Sequence, residues 1–360
     1  MKFTAERDAL VGAIAFVHVG KRNDNIPILA NVLLTAREGN LWLLSHALDY
    51  CAEMSCPAEV ETAGSTTVAA HDLAGLLGSA PEGSQVVCEL DGSRLKVKFG
   101  RSVYRLGTLP ATDYPNALAC DPTDKIDLTS EQALRLFGEP EFATDNGMSA
   151  AYRAGIYLHN AKSKTVSTVA TCGVQLARTS IEGLPPVDAD VIVTQQTARE
   201  IVRAAKAGPV HLEWSENLLV VESGAWRFTT KLIDSQFPEY EQLIGDFRES
   251  PRFLFDRKSL LHAVERLSLV ADKGTIEFEW DVEPSLARLH VGGDAGLESV
   301  DCVAPGMDAG SFKVPPSQFV SLLKAVDSDV VEIFFSGPGR PLQIQIPTRP
   351  HYVALQTLSA

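Results

Sequence analysis

Long apolar stretches are missing from this chain. In 360 residues no run reaches the eighteen or so apolar residues that a membrane-crossing helix needs. No charged-then-apolar leader precedes a small-residue cleavage site either, so the expectation is a cytoplasmic protein with no membrane partner. Cysteine is sparse. The six residues Cys51, Cys56, Cys88, Cys120, Cys172 and Cys302 show no paired pattern and read as small buried hydrophobes in a reducing compartment. Cys51 and Cys56 with His46 nearby have a faint ligand look. Zinc asks for a tight two-plus-two spacing, however, and nothing downstream completes it, so no metal is expected.

Catalytic signatures are absent as well. Gly337-Pro338-Gly339-Arg340 lacks the Gly-Lys-Ser/Thr ending of a phosphate loop and reads as a β-turn. There is no Gly-x-Ser-x-Gly elbow and no His-Glu-x-x-His helix. Asp234, Glu239 and Glu241 fall in a polar turn where solvation is the ordinary fate of a carboxylate. The expectation is a non-catalytic protein that uses no cofactor.

What the chain does contain is one pattern written three times. An extended apolar segment, a polar N-cap position and an amphipathic helix of about three turns follow one another around Val68, and the pattern recurs around Val193, with Thr194 before the helix, and around Val314. Spacings of 125 and 121 residues are domain-sized, which implies three copies of one domain rather than a solenoid of short units. Each copy opens with a strand running into a helix, at 2–10, 126–134 and 253–261, with Thr4, Thr129 and Asp256 as natural caps. Each closes with two alternating runs, 94–98 with 104–106, 218–221 with 227–229, and 342–346 with 352–355. The predicted fold is α+β, with two helices packed on an antiparallel sheet in each of three domains, 1–120, 121–248 and 249–360. A chain with 45% hydrophobic and 22% charged residues can give each of these its own core.

Met1-Lys2-Phe3-Thr4, Ile26-Pro27-Ile28-Leu29-Ala30-Asn31, Leu48-Asp49-Tyr50, Gly100-Arg101-Ser102 and Thr108-Leu109-Pro110-Ala111-Thr112-Asp113-Tyr114-Pro115 stand along the first part of the chain. Gly155-Ile156-Tyr157-Leu158-His159, Val169-Ala170-Thr171 and Phe237-Pro238-Glu239-Tyr240 follow them. In content and order these segments resemble the bacterial sliding clamp, the β subunit of DNA polymerase III, and the similarity spans the whole chain. The resemblance implies a head-to-tail homodimeric ring around double-stranded DNA, with helices lining the hole and a continuous sheet outside. Such a ring has no catalysis of its own. It tethers DNA polymerase and other replication or repair proteins, and meets its loader, through short peptide motifs, without reading DNA sequence.

Given that frame, charge takes on meaning. Arg94, Lys96 and Lys98 alternate along a strand joined by Arg101 and Arg105, whereas the stretch around Asp294, Glu298 and Asp301 is acidic. A basic edge at one end and an acidic edge at the other favour heterologous pairing. Tyr104 and Leu106 would face Leu269 of a second copy. The net charge of −14 suits an exterior that must not adhere to DNA, with the lining left to local cations. Those are Arg199, Arg203 and Lys206 on one helical face, Arg266 in the third copy, and Lys21 and Arg22 in the loop after the first helix.

The family's client-peptide cleft is where this sequence departs most from its relatives. The pattern Thr-Asp-Gly-His-Arg-Leu becomes Thr171-Cys172-Gly173-Val174-Gln175-Leu176, and Tyr-Leu-Asn-Gly becomes Tyr152-Arg153-Ala154-Gly155. The ending Met-Pro-Met-Arg-Leu becomes Leu355-Gln356-Thr357-Leu358-Ser359-Ala360, removing the flexible methionines that suit a many-client pocket. Pro238, Gln242, Leu243, Val353 and Leu355 complete the cleft that the resemblance implies. The expectation is a specialised clamp that binds the ordinary glutamine–leucine client peptide weakly or not at all. The alternative is a clamp-fold scaffold or decoy outside replication.

Overall fold

The computed structural model describes residues 1–17, 26–160, 165–187, 189–245, 250–271, 274–282, 284–292, 295–337 and 339–358. The first repeat runs β1 (Lys2–Glu6), α1 (Arg7–Val17), β2 (Asn31–Arg37), β3 (Asn40–His46), β4 (Tyr50–Pro57) and β5 (Glu59–Thr62). It continues with β6 (Gly64–Ala69), α2 (Ala70–Ser79), β7 (Gln85–Asp91), β8 (Arg94–Phe99) and β9 (Ser102–Leu109). The second holds β10 (Asp124–Leu128), α3 (Ser130–Gly138), β11 (Gly155–Asn160), β12 (Val166–Thr171) and β13 (Gln175–Ile181). After these come β14 (Asp190–Thr194), α4 (Gln195–Ala205), β15 (Val210–Trp214), β16 (Leu218–Ser223) and β17 (Trp226–Lys231). The third begins with β18 (Arg252–Asp256), α5 (Arg257–Ser268), β19 (Ile276–Trp280), β20 (Leu286–Val291) and β21 (Gly296–Val303). It ends with β22 (Gly310–Val314), α6 (Pro316–Ala325), β23 (Val330–Phe334), β24 (Leu342–Ile346) and β25 (Arg349–Gln356).

The architecture is α+β, and every strand pairing is antiparallel, with helices paired as α1 on α2, α3 on α4 and α5 on α6. Two compact units form, Met1–Leu128 with Ala207–Leu232, and Thr129–Lys206 with Ile233–Ala360. The first holds one sheet in the order β10-β15-β16-β17-β4-β3-β2-β6-β9-β8-β7-β1-β5. The second holds β14-β11-β12-β13-β25-β24-β23-β18-β21-β20-β19-β22. In each, strands of the middle repeat continue the sheet of a flanking repeat. β17 lies on β4 from Trp226↔Met54 to Thr230↔Tyr50, and β13 lies on β25 from Gln175↔Gln356 to Thr179↔Tyr352. Side chains alternate across these strands, so buried Phe228 and Trp226 of the first unit and buried Leu176, Tyr352 and Leu355 of the second anchor the joints.

Local sequence explains three of the six described helix starts, and the structure corrects the other three. Thr129 caps α3 with a full capping box: its Oγ1 accepts from Gln132 N at 3.3 Å, and Gln132 Oε1 accepts from Thr129 N at 2.9 Å. Asp256 Oδ1 accepts from Ser259 N at 2.8 Å, and Thr194 Oγ1 from Thr197 N at 3.1 Å. Thr4 is no cap. It lies inside β1, opposite Val87 and Glu59, because buried Phe3 and Ala5 on either side keep that segment extended until Arg7. The polar cap predicted before each repeated helix exists only at Thr194, since α2 follows Ala69 and α6 follows Pro315, neither with a side-chain cap. All six cysteines are free; Cys51, Cys56, Cys88 and Cys302 are buried, and burial raises the pKa of Cys56 and Cys302 to about 11. No helix among the described residues is long and apolar enough to cross a membrane.

Candidate binding cleft

In the second unit, four strands of one sheet and one irregular segment build an apolar site. Antiparallel pairing of β13 with β25 sets Leu176 opposite Leu355, and Val353 opposite Arg178. β12 contributes Val169, β14 contributes Ile192, and the segment after Ile233 brings in Phe237 and Tyr240. These side chains form one buried cluster, with Tyr152, Tyr157, Ile233 and Ile244 packed against it and still partly open to solvent. Leu243, Val174, Pro238 and Gln242 are exposed around it.

Aromatic packing fixes the position of the irregular segment. Phe237 stacks on Tyr157 with centroids 4.8 Å apart and meets Tyr152 edge-on at 5.5 Å. Tyr157 also stacks on His159 at 4.5 Å, since both stand on the same face of β11, two residues apart. His159 Nε2 shares a hydrogen bond with Tyr240 Oη at 2.8 Å, and Tyr157 Oη donates to Asp190 Oδ1 at 2.5 Å. Burial holds the His159 imidazole below its ordinary pKa, so it is neutral, and pushes the Tyr240 phenol up to about 12. Burial and the nearby Asp190 carboxylate push Tyr157 up too. None of these aromatics was among the predicted cleft residues. Their signal in the sequence was the Tyr157/His159 alternation, which marks one strand face without saying what packs on it.

The turn from Thr171 to Gln175 forms one wall. Thr171 Oγ1 donates to Gln175 O at 2.7 Å and accepts from Gly173 N at 3.1 Å, and Gly173 takes a φ of +89°. Gln175 needs correcting as a lining residue. It is only 4% exposed, and its amide donates to Gln318 O at 2.9 Å and Gln356 Oε1 at 2.8 Å, so it braces the wall from behind. Arg153 stands across from Gly173, with its Nη1 donating to Ser149 Oγ at 2.9 Å.

Comparison with known proteins identifies the architecture. Residues 1–118 match the N-terminal domain and residues 127–239 the central domain of the DNA polymerase III beta subunit. The Beta sliding clamp of Escherichia coli (strain K12) is 33% identical over 258 residues, covering 68% of each chain. The chain belongs to the bacterial beta sliding-clamp family. The Beta sliding clamp of Caulobacter vibrioides (strain NA1000 / CB15N) is 28% identical over 364 residues, covering 97% of each chain. A crystal structure of the C. crescentus beta sliding clamp superposes over 100% of this chain and 99% of that one, with TM-score 0.90 and 26% identity. The protein is thus a DNA sliding clamp, a non-catalytic factor of DNA replication, and the decoy reading finds no support.

Elsewhere in the clamp, the other predicted residues fall on three surfaces. On α4, Arg199 is exposed but donates its Nε to Glu141 Oε1 at 2.8 Å, Arg203 pairs with Glu200 at 2.5 Å, and Lys206 is exposed at the helix end. Lys21 and Arg22 lie outside the described residues, as does Asp294. Arg266 of α5 and Glu298 of β21, predicted for DNA and for the dimer contact respectively, pair with each other through two hydrogen bonds of 2.6 and 2.9 Å. That pairing joins residues 32 apart in sequence and was not visible there. Tyr104 is 40% exposed and stacks on Phe99, Leu106 lies half-buried opposite Leu95, and Arg94 and Arg101 are exposed. Leu269 is 84% exposed at the end of α5, and Asp301 is exposed on β21.

Proposed function

We propose that this clamp closes with a second copy of itself, head to tail, into a ring around double-stranded DNA. The cleft of the second unit then holds DNA polymerase, clamp-loader subunits and other replication or repair proteins by short peptides. Domains spanning 1–120, 121–248 and 249–360 would repeat twice around such a ring, in the cytoplasm. One observation carries this reading: each unit ends a ladder on an open strand edge, and the two edges differ in charge. β9 pairs with β8 along 102–107 but meets β6 only at Leu109 and Thr108. β21 pairs with β20 along 296–301 but meets β18 only at Val303 and Cys302. Unpaired strand edges of this length attract another strand unless blunted, and Val103, Tyr104 and Leu297 stand exposed on them. Arg101 and Arg105 on or beside one edge complement Asp301 on the other.

Inside such a ring, Arg199, Arg203 and Lys206 would meet phosphates, with Lys21, Arg22 and Arg266 adding to the lining. Sharing Arg199, Arg203 and Arg266 with Glu141, Glu200 and Glu298 keeps those three contacts weak, which favours sliding over fixed binding. Light scattering after size exclusion tests ring closure, a dimer of twice 38.9 kDa being expected. Clamp loaded on nicked circular DNA should be retained through a gel column and lost when the circle is cut. A monomer at all concentrations, or equal retention on linear DNA, would refute encirclement.

A further inference from the structure

Within the proposed peptide cleft stands a cation to which the described residues give no counter-charge. Arg153 lies in the short turn Ala151–Ala154 that leads into β11. Its guanidinium carbon is 6.0 Å from the centre of the Tyr152 ring, and Tyr152 packs on the apolar cluster. A Cβ at residue 173 would stand 2.8 Å from Arg153 Nη2 and 2.9 Å from Cζ, so only a glycine lets the guanidinium lie on that turn. Nη1 is engaged by a neutral hydroxyl, Ser149 Oγ, and the buried Nε has no acceptor among the described residues. Several other arginines of this chain are treated differently. Arg199, Arg203, Arg227, Arg266, Arg288 and Arg349 each meet a carboxylate, whereas no described carboxylate pairs with Arg153. A half-buried guanidinium beside apolar side chains is unfavourable until an anion joins it, and its planar fork is matched best by a carboxylate.

We propose that the peptides this clamp accepts carry a carboxylate directly beside the apolar residue that enters the cleft, and that Arg153 reads it. The inference rests on the cleft being a peptide site. Ile244 and Tyr157 offer the apolar floor with Leu243 exposed beside it, and the Arg153/Gly173 pair sets a charge requirement at its rim. The carboxylate belongs either to an aspartate or glutamate within the peptide or to a free C-terminus, since both present the same two oxygens.

Three fluorescein-labelled peptides distinguish these sources by anisotropy against the full-length clamp: one ending in Leu-Phe amide, one in Leu-Phe with a free carboxylate, and one in Leu-Phe-Glu amide. At least one carboxylate peptide should bind roughly tenfold tighter than the plain amide, as expected for a charge-assisted hydrogen bond. That advantage should shrink with added salt. Arg153→Gln should abolish the advantage, so that all three peptides bind alike, and Arg153→Lys should keep part of it. Equal binding of all three peptides, lost in Leu243→Asp, would overturn the charge requirement and leave the peptide site standing. Binding of none of them, up to about millimolar concentration, would overturn both.

Discussion

A buried imidazole behind the cleft ties pH to the aromatic stack. His159 is 7% exposed, its pKa is depressed mainly by burial, and its neutral ring shares a hydrogen bond with Tyr240 Oη. The unfolded chain accepts a proton on this residue from about pH 6.5 downward, while the folded chain resists. The stabilising effect is therefore complete above that pH and is lost as pH falls through the depressed folded value. His159→Gln retains a partner for Tyr240 but cannot titrate. Its unfolding free energy from urea titration should fall less between about pH 7 and 5 than the parent's, by up to about 1.4 kcal/mol per pH unit for one proton. Equal slopes would assign the loss elsewhere, His46 being also depressed by burial. Gly173 is a second single-residue lever. Its left-handed φ makes any Cβ strained, so Gly173→Ala should lower stability by about 1–2 kcal/mol in the same urea measurement. It should also push the Arg153 guanidinium off the turn, which a changed binding preference for carboxylate peptides would reveal.

At the scale of elements, the capping box of α3 offers the cleanest local test. Thr129→Ala removes one side of a reciprocal pair and should lower unfolding free energy by about 1 kcal/mol, read from the shift in denaturant midpoint at constant slope. No shift would mean that packing of α3 on α4 holds the helix without its cap. The same helix shows how far local pattern reaches. Caps at Thr129, Thr194 and Asp256 were legible because a polar residue stands directly before an amphipathic run. Thr4 misled because a threonine on the solvent face of a strand looks the same in sequence as a threonine at a helix start. The pairs 94–98 with 104–106 and 342–346 with 352–355 were legible from alternation, and their registers, such as Val97↔Tyr104 and Ile344↔Ala354, follow from tight turns. Long-range partners were not. Nothing local says that Phe237 stacks on Tyr157, that Gln175 turns toward Gln318, or that Arg266 is held by Glu298, because each joins segments brought together only by the sheet.

For the molecule as a whole, the proposed ring depends on whether two open edges pair. β9 carries Arg101 and Arg105 on or beside it with Val103 and Tyr104 exposed, and β21 carries Asp301 with Leu297 exposed. Backbone hydrogen bonds between such edges are insensitive to salt, whereas the flanking charges are screened over about 8–10 Å at physiological ionic strength. Dimerisation should therefore weaken only modestly with salt, unless the charges dominate. Glu298 sharpens the expectation, since it is already neutralised by Arg266 of its own chain and has less to give a second copy. Asp301 is then the acid that matters. Arg101→Glu with Arg105→Glu should raise the dimer dissociation constant by roughly tenfold or more, two exposed pairs being worth about 0.2–1 kcal/mol each before like-charge repulsion is added. Asp301→Lys alone should weaken the dimer too. Placed on the same chain, the three substitutions restore opposite signs at both joints of a head-to-tail ring and should recover much of the affinity, as sedimentation across a dilution series would show. Additive weakening in the triple variant would mean that these side chains do not face one another, and that the edges pair elsewhere or not at all.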